Sequence, residues 1–172
     1  MWRRLAASAV IAGLWFLPAR APAAAGDQAW SQFRGQVVIS DVLLAPDFGS
    51  DRVMVTSLNR MRRSAVDEVS GFWRLHLVAF LDTPAAGEML HVVARDITAP
   101  EDRDRARRGE LPALRIFETP SDPGDRVLHM NNLVLTEAMG FQRGHEYGIT
   151  VEKDAEDGGK QDVYAQGVVT LR

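Results

Sequence analysis

Four histidines, His76, His91, His129 and His145, and the thioethers of Met89 and Met130 are the side chains here best suited to chemistry. Imidazole nitrogen with thioether sulfur makes a soft donor set of the kind that holds copper. Residues 71–82 and 88–97 both alternate between apolar and polar positions. If they are neighbouring strands, His76, Met89 and His91 share one face, and these three are the candidate metal ligands. His129-Met130 would add to them. Against this, no His-x-x-x-His pair occurs, and ordinary half-exposed strand positions explain the same residues.

The acidic turn Glu152, Asp154, Glu156, Asp157 and Asp162 offers oxygen ligands for calcium. Gly158 falls where such a loop needs a ligand, so a solvated hairpin tip is the plainer reading. Catalytic signatures are missing: there is no G-x-S-x-G, no His-Glu-x-x-His and no phosphate-cradling glycine loop. His145 and Glu146 would make an acid–base pair only if they converged, and adjacent strand residues point to opposite faces. The expectation is a protein that is not an enzyme, with no catalytic residue and no bound cofactor. Two arginine runs remain, Arg60, Arg62 and Arg63, then Arg103, Arg105, Arg107 and Arg108. They could grip an acidic polymer or a lipid headgroup. Glu101, Asp102 and Asp104 cancel much of the second run's field, which favours a solvated face.

What must position these groups begins after a leader. Residues 1–25 carry a basic start, an apolar run from Leu5 to Leu17 and the small residues Ala23-Ala24-Ala25, the layout of a cleavable signal peptide. The run is too short to span a bilayer. Residues 26–172 then form one domain of about 147 residues, long enough for a sizeable core. Its net charge of about −6 argues against nucleic acid as a partner. Cysteine is absent, which removes disulfides, thiol nucleophiles and Cys-ligated metals. Gly26 to Arg34 reads as an irregular lead-in. Seven strands follow, at residues 36–40, 71–82, 88–97, 113–118, 126–136, 147–152 and 162–171. A short helix starts at Ser50 or Asp51, with Met54, Leu58, Met61 and Ala65 as its apolar stripe. The charged stretch 101–110 is a loop or a single exposed helical turn. TPAAG joins the second and third strands as a hairpin.

The last turn before the closing strand pair carries Phe141, Gly144 and Tyr147, with Ile149 and Val151 alternating beyond. This stretch, about residues 133–151, resembles the tyrosine corner of immunoglobulin-like and fibronectin type III-like domains. The resemblance implies an all-β, antiparallel sandwich of about seven strands, with the helix inserted after the first. It also implies a buried Tyr147 whose hydroxyl bonds upstream backbone. Arg143 stands where the fibronectin pattern has proline. The functional expectation is an exported, non-catalytic binding or accessory module of the cell envelope, partnered by a protein or another envelope component. The alternative is a periplasmic copper carrier using His76, Met89 and His91, since exported β-sandwiches that resemble copper carriers use His and Met ligands.

Overall fold

Alternating β-branched and aromatic residues commit most of this chain to strands. The computed structural model describes residues 27–44, 48–153 and 162–172. The leader reading of residues 1–25 and the Asp154, Glu156 and Asp157 part of the acidic turn lie outside the described residues. The strands are β1 (Gln36–Ser40), β2 (Ala65–Val66), β3 (Trp73–Phe80), β4 (Met89–Asp96), β5 (Leu114–Pro120), β6 (Val127–Leu135), β7 (Glu146–Lys153) and β8 (Asp162–Leu171). Three helices accompany them: α1 (Asp27–Phe33), α2 (Asp51–Met61) and α3 (Asp102–Arg107). The seven expected strands and the helix after the first have their counterparts, but β2 and α1 do not, and Ala65, expected on the helix stripe, opens β2 beyond the helix end at Met61.

All eight strands join one sheet in the order β5-β4-β7-β8-β1-β3-β6, with β2 also paired to β8. The edge strands β5 and β6 come into contact, so the sheet curls nearly into a barrel. Most pairs are antiparallel, but β8 runs parallel to β1 (Gln36 beside Gln166) and to β2 (Ala65 beside Thr170). A single mixed sheet therefore stands where two antiparallel sheets were expected. β1 and β2 run the same way along one flank of β8, and α2 carries the chain from the first to the second.

The expected hairpin of β3 and β4 does not form. β3 pairs with β1 and β6, and β4 with β5 and β7. Their connection crosses the barrel end instead of turning back. The Asp82 N–H donates to the Tyr164 carbonyl at 2.7 Å, and the Ala85 N–H to the Asp125 carbonyl at 2.8 Å. The loose alternation in β6 has a local cause: β3 and β6 shift register between Leu75 and Leu77, opposite Asn131 and Asn132, with Asn132 at φ 60.

One face of every long strand fills the barrel. Trp73, Leu75, Leu77, Ala79, Leu90 and Val92 are among its buried residues, with Tyr147, Ile149, Val169 and Leu171 from the closing pair. A second apolar layer lies outside, where Phe33, Met54 and Leu58 of α1 and α2 cover Val38, Val78 and Phe80. That explains why the second half of β3 is apolar on both faces. Ser50 caps α2 by accepting the Val53 N–H at 3.4 Å. On α1, the Trp30 indole donates to the Leu81 carbonyl at 2.7 Å, and the Arg34 and Arg126 guanidiniums lie against its ring. Among the described residues no helix is long and apolar enough to cross a membrane.

The parallel contact of β1 and β8 requires a residue without a side chain. A Cβ at Gly167 would lie 2.6 Å from the Val37 carbonyl oxygen, whereas at Gly148 its nearest neighbour would be an Ile97 methyl at 3.6 Å. Gly167→Ala is therefore expected to destabilise the fold by about 1–3 kcal/mol, as overpacking against fixed backbone does. Gly148→Ala should lie within about 0.5 kcal/mol of wild type. Urea midpoints for the two variants check this, and equal midpoints would contradict it.

Candidate functional site

The candidate metal ligands are not brought together. Two strands separate β3 from β4 one way round the barrel and three the other way. His76 is buried beside the β6 irregularity, its Nδ1 3.0 Å from Asn131 Oδ1 and 3.3 Å from the Asn132 amide nitrogen. His91 is buried on β4, with Nδ1 3.5 Å from a Glu118 carboxylate oxygen of β5. Met89 is exposed. His129 lies on β6 beside Val78, where burial lowers its pKa. No group of three or more potential His or carboxylate ligands occurs among the described residues. The copper reading required β3 and β4 to be adjacent, and they are not.

His145 meets Asp96, not Glu146. Its Nδ1 lies 2.6 Å from Asp96 Oδ2, while Thr98 donates its hydroxyl and its N–H to Asp96 Oδ1 at 2.6 and 3.0 Å. Burial pushes the Asp96 carboxyl up, but the bonds from Thr98 and His145 outweigh it and hold the pKa below the ordinary value. The Thr98 hydroxyl also accepts the Glu146 N–H at 2.9 Å. This cluster clasps the end of β4 to the start of β7.

The corner residues Phe141, Gly144 and Tyr147 lie together where the chain enters β7. Tyr147 is buried, Phe141 packs on its ring at 5.0 Å, and its hydroxyl oxygen accepts the Gln142 N–H at 2.9 Å. Gly144 makes the turn at φ 82. Tyr164, which strict alternation along the strand would leave at least half exposed, is instead partly buried against the core and donates its hydroxyl to Glu88. The irregular pairing of β7 with β8 between Val151 and Glu152 turns it inward. Burial, reinforced by the Glu88 carboxylate, raises the Tyr164 pKa to about 12; burial also raises that of Tyr147. A raised phenol pKa stabilises the fold fully below the unfolded value near 10, and that contribution is lost as pH rises from 10 towards 12. In an alkaline absorbance titration Tyr164 should stay protonated at pH 10, and Tyr147 should titrate above the ordinary tyrosine value. Glu88→Gln should lower the Tyr164 midpoint. Ionisation of both at the ordinary value of about 10 in folded protein would contradict the burial.

What the outer surface of the sheet does present is a trough. α1 and α2 cover β1 and β3, and α3 lies against β4, leaving the outward faces of β7 and β8 between them uncovered. The space between these covers is about 1640 Å³, larger than the roughly 300–1,000 Å³ that suits a small molecule. Its length follows that of β8, about 30 Å at 3.3 Å per residue. Gln166, Val168 and Thr170 of β8, with Gly148 and Thr150 of β7, form the floor. Arg62 and Arg63, just after α2, stand on one wall, and Arg103, Arg107 and Arg108 on the other. The two runs that read as separate solvated faces thus confront each other across one depression.

The wall arginines keep binding capacity. Arg103 is paired with Glu146, Arg107 with Asp104, Arg108 with Glu110 and Arg63 with Asp41. Each of these four side chains nevertheless remains more than a third exposed. A guanidinium has five N–H donors, and one carboxylate leaves some unused. Arg62 bonds a neutral partner, the Gln36 amide oxygen, at 3.4 Å. Under one side of the floor, Arg95 and Glu152 form a buried two-bond pair, both bonds 3.0 Å, with the Thr150 hydroxyl bridging to each. This pair went unnoticed in the sequence, although an Arg and a Glu on otherwise apolar strands were its signal. Compared with protein-family models, curated proteins and solved structures, the chain matches none of them at a significant level.

Proposed function

We propose that this protein is an exported, non-catalytic binding module of the cell envelope whose binding surface is the trough over β7 and β8. The observation that carries the reading is the placement of exposed arginines on both walls of one depression, in a chain of net charge −3. Among the described residues seven arginines line the depression against four carboxylates (Asp82, Glu146, Glu152 and Asp162), and such a local excess of guanidinium selects for anions and steers them to that face. Export rests on the layout of residues 1–25. Kinship with immunoglobulin-like domains is supported by the Tyr147 corner alone, since the mixed sheet departs from their pattern.

The test is a titration at low ionic strength with polyglutamate, polyphosphate and a defined oligouronate. Wild type should bind at least one of them. Binding should weaken with added salt and disappear in Arg62→Glu/Arg107→Glu. Both residues are exposed, so the thermal midpoint should barely change. Binding that survives the charge reversals, or no binding of any polyanion by wild type, would sink the proposal.

A further inference from the structure

Resting on that reading of the trough, we infer that its ligand is a carboxylated sugar chain, an acidic polysaccharide lying along β8. Three features separate this from other anions. The depression is concave, with Gln166 and Val168 on a floor below the arginine walls, and a flat bilayer surface would leave that floor untouched. Both edges of β8 are occupied, by β7 on one side and by β1 and β2 on the other, so an extended acidic peptide has no free strand edge here to pair with.

The third feature is the floor itself. Between the walls it presents the neutral polar groups of Gln166 and Thr170 around an exposed Val168, while the Thr150 hydroxyl is already engaged by Arg95 and Glu152. Hydroxyl groups along a sugar chain can pair with these donors and acceptors, and the apolar face of a sugar ring can rest against Val168. Carboxylates recurring along the chain meet guanidiniums, which can take them two bonds at a time. A polyglutamate has the charge without the hydroxyls.

The experiment compares a defined oligouronate with polyglutamate and polyphosphate of equal charge, and with vesicles containing anionic lipid. The oligouronate should bind at least tenfold more tightly than the others. Gln166→Ala, an exposed position, should weaken oligouronate binding by about fivefold, the scale of one hydrogen bond, and leave polyglutamate binding unchanged. Arg62→Ala/Arg107→Ala should weaken both. Equal affinity for polyglutamate, polyphosphate or the vesicles, or a Gln166→Ala variant that binds the oligouronate as wild type does, overturns the sugar assignment and leaves the anion-binding trough standing. Failure of every polyanion to bind overturns both.

Discussion

Tyr147→Ala is expected to lower the unfolding free energy by about 3–5 kcal/mol, the range for deleting a fully buried aromatic side chain. The ring lies at the centre of the corner. It is 1% exposed, packs 5.0 Å from Phe141, and anchors the turn through the Gln142 N–H. Removing it opens a cavity between the β6–β7 connection and the barrel interior, and also releases that turn. Tyr147→Phe keeps the ring and loses only the hydroxyl, so about 0.5–1.5 kcal/mol should be lost. Gln142 is exposed, and its freed N–H can turn to water. Since a domain holds only about 5–15 kcal/mol in total, the Ala variant should be marginal at physiological temperature. Urea unfolding of the two variants against wild type measures both numbers. An Ala variant within about 1 kcal/mol of wild type, an ordinary mutational effect, would remove Tyr147 from the core.

Glu152→Ala should be as damaging for a different reason. The Arg95 and Glu152 side chains are 6% and 2% exposed and share two 3.0 Å bonds. Deleting the carboxylate takes both of these charge-assisted bonds from a buried guanidinium, and breaking a buried pair from one side costs about 3–5 kcal/mol. The pair as a whole contributes far less than that, because bringing two charges out of water offsets most of their attraction. Arg95→Met/Glu152→Leu should therefore recover most of the loss and end within about 1–2 kcal/mol of wild type. The denaturant slope should be unchanged, so that shifts in midpoint report stability alone. If Glu152→Ala costs under about 1 kcal/mol, water from the trough reaches Arg95 and the pair behaves as a surface one.

The strands were legible in the sequence because alternation reveals which face is buried. β1 begins and ends where QVVIS does, and the apolar set of β3 is the set that fills the barrel. Alternation says nothing about which strand lies beside which. TPAAG looked like a hairpin turn, yet its Ala85 donates its N–H to the Asp125 carbonyl and accepts the Gly124 N–H, and β3 and β4 part company there. That one misreading generated the copper site, since His76 and His91 needed adjacent strands. α1 was missed because seven residues hold too little of a 3.6-residue period to show it, and its burial rests on Ala29 and Phe33. The trough was invisible for a related reason. Arg62 and Arg107 are far apart in the chain, and only the order of the strands between them makes them opposite walls.

The parallel pairing of β8 with β1 and β2 has a consequence in time. A chain delivered N-terminus first presents β1, β2 and β7 while the strand that joins them is still missing, so the interior cannot close until the last segment arrives. Pairing the first strand with the last is a contact of high sequence separation, which places folding in the slow, millisecond-to-second regime of non-local β proteins. Until then the open edges invite association with other chains. The late arrival of β8 also means that no truncated product ending before Asp162 can display the proposed anion-binding face, because the segment that completes the barrel is the floor of the trough.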